Sequence, residues 1–378
     1  MNELLDSTLC DELCYTINQT DIFIKDPEES KKFNLICAII DRFVTTVKYI
    51  NEHQEVPKKE NEFINFLVYV SILKDGINTV RKILGLPEKN DNKIFESYYI
   101  RDLPNINKEI NDDKFFEYFR SLAFAHPFVT DRSIPNAINN QEIQYSPFVL
   151  TNMGYFQNDD DSVGVEVYSN ERDPFYVSFP FDLLKEYIKW KFEMIRDITA
   201  EFEKIIKKKE KVWKKHKVNR EQDSIEVLKD AKTIIKERYM DTYILDNLIE
   251  YLKCECSLDN NKENVEKYKK AIIDIIPNIC DAIDGYKHEL IYDVLKNILY
   301  PRPEAHPMLH YQLEKIFCHL SNDCSKKDWG LIQAQAFANE FARKWVVIDT
   351  KNMSFEEIKL LTSVACYMEY QEQKNKEK

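Results

Sequence analysis

A chain of 378 residues is long enough for two or three domains with sizeable cores. Its 44% hydrophobic content, with 22 Phe and 21 Tyr, excludes a disordered chain and predicts an aromatic-rich interior. The net charge of minus 12 makes the surface as a whole repel nucleic acid and anionic membrane, so a polyanion has to be met by a local basic patch.

Asp26-Pro27-Glu28-Glu29 is the first helix start, with a capping oxygen, a proline suited to the first turn and acids against the helix dipole. Phe33, Ile36, Ile40, Phe43, Val44 and Val47 then keep an apolar stripe at helical spacing. A second helix is predicted from about Glu60 to Leu84, stopped by Gly85 and Pro87. It holds the longest apolar run, "FINFLVYVSIL" from Phe63 to Leu73, about half the roughly 20 residues that span a bilayer, so no membrane segment is expected. A third helix, preceded by Asn111 and Asp112, carries "EYFRSLAFAHP" and should end near His126, because Pro127 disfavours helix for the residue before it.

Between about 141 and 181 the character changes. "IQYSPFVLTN", "SVGVEVYS" and "PFYVSFPF" are β-branched and aromatic, separated by polar turns, and predict two or three antiparallel strands. The acidic turn "QNDDDS" reads as a solvated hairpin loop rather than a calcium site: Asp159, Asp161 and Val163 break the calcium-loop pattern, and no glutamate stands at the twelfth place. One helix roughly 50 Å long is predicted over 182–216. Its last turns, "KIIKKKEKVWKKHK", hold the densest basic cluster, with Lys208, Trp213 and Lys215. This is either a solvated helix end favoured by the dipole or a phosphate-facing patch in which Trp213 stacks on a base.

The polar "KVNREQDS" reads as a linker between a first domain over 1–217 and an all-helical second domain over 224–378. About seven helices are predicted there, punctuated by Pro277, Gly285, Pro301 and Gly330, the last announced by Ser354 and Glu357 as a capping box. No repeat of fixed period is present. His306, His310, Glu314 and Cys318 stand at steps of four in "AHPMLHYQLEKIFCH", either a metal stripe or the polar flank of a helix whose core face is Leu309, Leu313, Ile316 and Phe317; the flank is the reading adopted. The fold class is therefore mostly α, with a small antiparallel β insertion and two helical domains.

Six glycines leave no room for phosphate-cradling loops: G-x-G-x-x-G, the P-loop, the G-x-S-x-G elbow, H-E-x-x-H and C-x-x-C are all missing. Nine scattered cysteines and no amino-terminal signal pattern predict a reducing, cytoplasmic setting, and no cofactor is called for.

On the third helix, 100° per residue puts Phe115, Phe119, Leu122 and His126 on one face, with Arg120 about 120° away between Phe116 and Phe124. A helix apolar on two sides suits burial against its own domain and against a second surface, such as a homodimer seam. Arg120, Ser121 and His126, with five residues between the arginine and the histidine, resemble the HEPN (higher eukaryotes and prokaryotes nucleotide-binding) superfamily, whose active members carry arginine and histidine four to six residues apart on a late helix of an all-α domain. The resemblance implies a metal-independent endoribonuclease, a site assembled from two protomers, RNA as substrate, and a role as toxin or phage-defence effector. Serine after the arginine, and strands after the motif, depart from the usual family pattern.

These residue types suit the chemistry. A histidine can take the proton of a ribose 2′-hydroxyl or protonate the leaving oxygen, and an arginine can hold two oxygens of the pentacoordinate phosphorus. DNA, lacking the 2′-hydroxyl, would be spared. Thr130 and Arg132 are candidate phosphate contacts beside them. The alternative is a non-catalytic, all-helical interaction or regulatory protein with a protein partner, in which His126 is a hydrogen-bonded helix-end residue and Arg120 reaches one of the many acids.

Overall fold

The computed structural model describes residues 3–89, 92–98, 110–128, 143–151, 161–170, 173–299, 301, 303, 307–321 and 324–376. The fold is mostly α with a small antiparallel sheet, as the sequence predicts. The chain divides into two compact units, Met1–Lys207 and Lys208–Lys378. The division falls inside a helix rather than in the polar stretch that follows it.

The first unit begins with α1 (Thr8–Asn18), α2 (Ile22–Lys25), α3 (Ser30–Glu52) and α4 (Glu60–Ile83). Asp26 holds the turn before α3, its Oδ1 accepting the N–H groups of Glu28 and Glu29. Gly85 ends α4 at φ +68°, where Leu86 N–H reaches back to Arg81 O, a left-handed cap that glycine adopts without steric cost. By length and composition α4 could cross a membrane, but half of its most apolar stretch is buried within the unit, with Phe63, Leu67, Val70, Leu73, Ile77 and Val80 in the core. It is the unit's core helix.

Helix α5 (Asp112–Arg120) runs into one π-helical turn, Ser121–Ala125. The sheet follows, in order β1 (Gln144–Thr151), β2 (Ser162–Ser169) and β3 (Phe175–Pro180), all antiparallel. Val163, Val165, Val167, Val177 and Phe179 are buried from it. The register of β1 shifts between Tyr145 and Phe148, a bulge that accommodates Pro147, which has no N–H for the ladder.

The single long helix predicted over 182–216 is two, α6 (Phe181–Glu193) and α7 (Ile195–Trp213), broken at Met194. No glycine or proline marks the break. Lys191 before it reaches Asp113 and Asp197 after it reaches Arg81, so partners elsewhere in the fold are met on both sides of the interruption.

The second unit holds α8 (Ser224–Glu237), α9 (Tyr243–Lys253), α10 (Asp259–Asp284), α11 (Glu289–Leu299), α12 (Leu309–His319), α13 (Lys327–Glu340), a 3-10 turn Ala342–Lys344 and α14 (Phe355–Lys376). Helix α14 is buried on nearly every side from Glu357 to Cys366, which makes it the centre of the bundle. Pro277, expected to punctuate, lies inside the continuous α10. It faces solvent while Ile272, Ile276, Ile279 and Ile283 are buried, so packing outweighs the lost backbone hydrogen bond. Half of the capping box forms: Ser354 Oγ accepts from Glu357 N–H at 3.1 Å, but the Glu357 carboxylate accepts instead from Ser257 N–H and Oγ at 2.7 and 2.8 Å. All nine cysteines are free thiols.

Candidate functional site

Asn111 starts α5 by accepting Lys114 N–H at 2.9 Å, and Asp112 accepts the amides of Ile94 and Phe95 at 2.9 and 3.0 Å. Burial pushes the Asp112 carboxyl up despite these bonds. Phe115, Phe116, Tyr118 and Phe119 are then packed inward, Phe116 against Tyr187 with ring centres 5.2 Å apart and Phe119 against Phe179 at 4.8 Å.

The remaining stripe of the same helix is charged. Asp113, Glu117 and Arg120 recur at four and then three residues, and each meets a partner on α4 or α6. Lys74 Nζ lies 2.6 Å from Glu117 Oε1 and 2.9 Å from Asp75 Oδ1. Arg120 Nη1 donates to Asp75 Oδ2 at 3.0 Å. Asp113 collects Tyr187 OH at 2.8 Å, Lys191 Nζ at 2.7 Å and Asn78 Nδ2 at 3.0 Å. The side chains of Lys74 and Lys191 are 1% and 2% exposed, so two ammonium groups lie almost wholly inside the unit, each hydrogen-bonded to a carboxylate. Burial lowers Lys191 and pushes the Tyr187 phenol well up, with the Asp113 charge adding to the latter. Sequence reading singled out Arg120 alone. The signal that locates the others is the helical period of polar and charged residues inside apolar helices: Lys74, Asn78 and Arg81 on α4, and Tyr187 and Lys191 on α6.

After Arg120 the helix widens. Ser121–Ala125, the five residues between arginine and histidine, form the π turn, closed by His126 N–H donating to Ser121 O at 2.8 Å. The α-helix expected to run to His126 therefore stops at Arg120. The next residue, Pro127, is fastened to the sheet: its carbonyl accepts Ser146 N–H at 2.7 Å, from within the β1 bulge. Tyr118 adds a second tie through its hydroxyl to Gln144 Oε1 at 2.6 Å.

Arg120 is 30% exposed and His126 is exposed, so solvent reaches both. Ser121, expected beside a substrate, is 4% exposed and faces the interior. Thr130 and Arg132 lie outside the described residues. Lys208 and Lys215 belong to the second unit, exposed and with no carboxylate partner among the described residues. Trp213 is 8% exposed, and its ring packs on Tyr286 and edge-on with Tyr239, so the stacking role expected of it is excluded by neighbours that already occupy it. His306 lies outside the described residues, and among those described no group of three His, Cys, Asp or Glu could hold a metal.

Chemically, the arrangement at the end of α5 offers a guanidinium held by one carboxylate and a histidine carried on a pinned turn. An incoming phosphate can exchange with Asp75 at Arg120, because both interactions are charge-assisted and partly exposed. Comparison with protein-family models, with curated proteins and with solved structures finds no match to the chain.

Proposed function

We propose that Arg120 and His126 form one half of a metal-independent endoribonuclease site of HEPN type, completed by the same residues of a second copy in a homodimer. The observation that carries this reading is the π turn between them. A π turn is a rare departure from α geometry that recurs at functional sites, and here it spans the five residues separating two solvent-reached polar groups at the end of an otherwise buried helix. The exposed Phe128 and Phe148, flanking the Pro127–Ser146 hydrogen bond, supply apolar surface for the second copy beside these groups. A cytoplasmic setting, with a toxin or phage-defence role, goes with this reading.

A second reading is favoured by a different observation. Asp75 already holds Arg120, as a non-catalytic, all-helical interaction or regulatory protein would have it. One experiment separates the two: purified protein is incubated with mixed RNA and matched DNA in the presence of a chelator, comparing wild type with Arg120→Ala and His126→Ala. Cleavage of RNA alone, with cyclic phosphate ends, lost in both variants, is the expected result. Intact RNA with all three proteins at concentrations that favour a dimer leaves the interaction reading.

A further inference from the structure

The second unit contains a cavity of about 760 Å³, within the range of about 300–1,000 Å³ usual for small-molecule sites. It is walled by α9, α11, α12 and α14. Leu299 and Cys366 are buried at its base, and Leu313 and Phe317 line one wall. Tyr243 and Tyr292 line it and are about half exposed, which adds aromatic surface at its rim.

The charged residues described in its lining are carboxylates. Asp241 and Glu314 line it, and among the described lining residues there is no lysine or arginine. Asp241 Oδ1 accepts Tyr243 N–H at 2.6 Å and Glu314 Oε1 accepts Lys315 Nζ at 2.6 Å, so each carboxylate keeps its second oxygen without a hydrogen-bond partner among the described residues. His310, the one described lining group that can become cationic, is exposed. Carboxylates beside tyrosine and phenylalanine rings attract a cation twice over, by charge and by the negative faces of the rings, while the apolar base accepts a hydrocarbon body.

We infer that this cavity binds a small organic cation with an apolar body. His310, Glu314 and Cys318, the three described members of the histidine-cysteine stripe in α12, then contribute to an organic-ligand wall. The inference is independent of the site on α5.

The test is calorimetric titration of the full chain, at about pH 8 where imidazole is neutral and an alkylamine charged, with naphthylmethylamine, naphthylmethanol and naphthoic acid. The amine is expected to bind in equimolar ratio, about tenfold tighter than the alcohol, with the acid weakest. Asp241→Asn, Glu314→Gln and Tyr243→Ala, all at exposed side chains, should weaken the amine and leave the alcohol little changed. Equal binding of the three compounds, no binding of any, or amine binding that survives all three substitutions would each overturn the inference. The three-compound comparison on the unsubstituted protein decides it even where a variant folds poorly.

Discussion

Arg120 Nη1 lies 3.0 Å from Asp75 Oδ2, while the other oxygen of that carboxylate is 2.9 Å from the buried Lys74 Nζ. Asp75 thus joins a fully interior cation to one that solvent reaches. On the ribonuclease reading it competes with phosphate for the guanidinium. Asp75→Asn should tighten RNA binding several-fold, by roughly 1 kcal/mol, and Arg120→Lys should weaken it by losing the two-pronged contact. Fluorescence anisotropy with a labelled RNA measures both. An Asp75→Asn protein that binds RNA no better than wild type would mark the arginine as a structural partner of α4.

Removing one partner of a buried pair exposes the cost of the other. Asp113→Ala leaves Lys191 buried and unpaired and is expected to cost about 3–5 kcal/mol, whereas Lys191→Met should cost much less, because it removes the buried charge and keeps the packing. Urea unfolding followed by circular dichroism gives both values from the midpoints, provided the slopes agree. Equal losses would mean that Lys191 is solvated in solution.

Helices α3 and α4 approach closely at Gly76. A Cβ there would stand 2.5 Å from Cε1 of Phe43, whose ring is buried. Gly76→Ala should therefore destabilise the first unit by about 1–3 kcal/mol despite the better helix propensity of alanine. Adding Phe43→Leu should recover part of the loss, and thermal melts of the three variants check the coupling.

In the second unit Arg238 Nη1 lies 3.3 Å from His288 Nε2. An arginine can only donate, so Nε2 accepts and the imidazole is neutral. Burial first, and the Arg238 charge second, bring His288 down to about 4, with Glu289 opposing weakly. The unfolded histidine titrates near 6.5, so as the pH falls the unfolded chain takes up this proton first. The stability is complete above about 6.5 and is lost towards 4, on the order of 1–2 kcal/mol after allowance for partial exposure. Denaturation midpoints of wild type and His288→Leu across that window should converge at the acid end. Parallel curves would show that the histidine does not contribute.

Truncating Trp213 separates packing from recognition. Trp213→Ala should cost about 3–5 kcal/mol. Trp213→Phe should keep most of the stability and leave any RNA affinity unchanged, because the indole is enclosed by Tyr239 and Tyr286. Lys208→Glu with Lys215→Glu, at exposed positions, should instead reduce RNA affinity and its salt dependence if the basic helix end contributes.

What the sequence determined by itself was set by local rules. The apolar stripe of α3, the Gly85 stop of α4, the Asn111 cap of α5, the β-branched runs of the sheet and the Ser354 cap of α14 each follow from a few neighbouring residues. Arg120 and His126 were likewise picked out by their spacing along the chain, although the π turn between them was not. Tertiary structure decided whatever depended on partners distant in the chain. Glu357 serves Ser257 rather than its own cap, Trp213 is enclosed by two tyrosines, and Pro277 is tolerated on the solvent side of a helix whose other side is buried. Tyr239 and Tyr286 take left-handed conformations at φ +62° and +59°, where helices usually place glycine, with their rings packed on Trp213. Arg120 received Asp75 in the same way, from 45 residues upstream. Local propensities amount to tenths of a kcal/mol per residue, whereas a buried ring or a buried unpaired charge amounts to several, so where they conflict packing prevails.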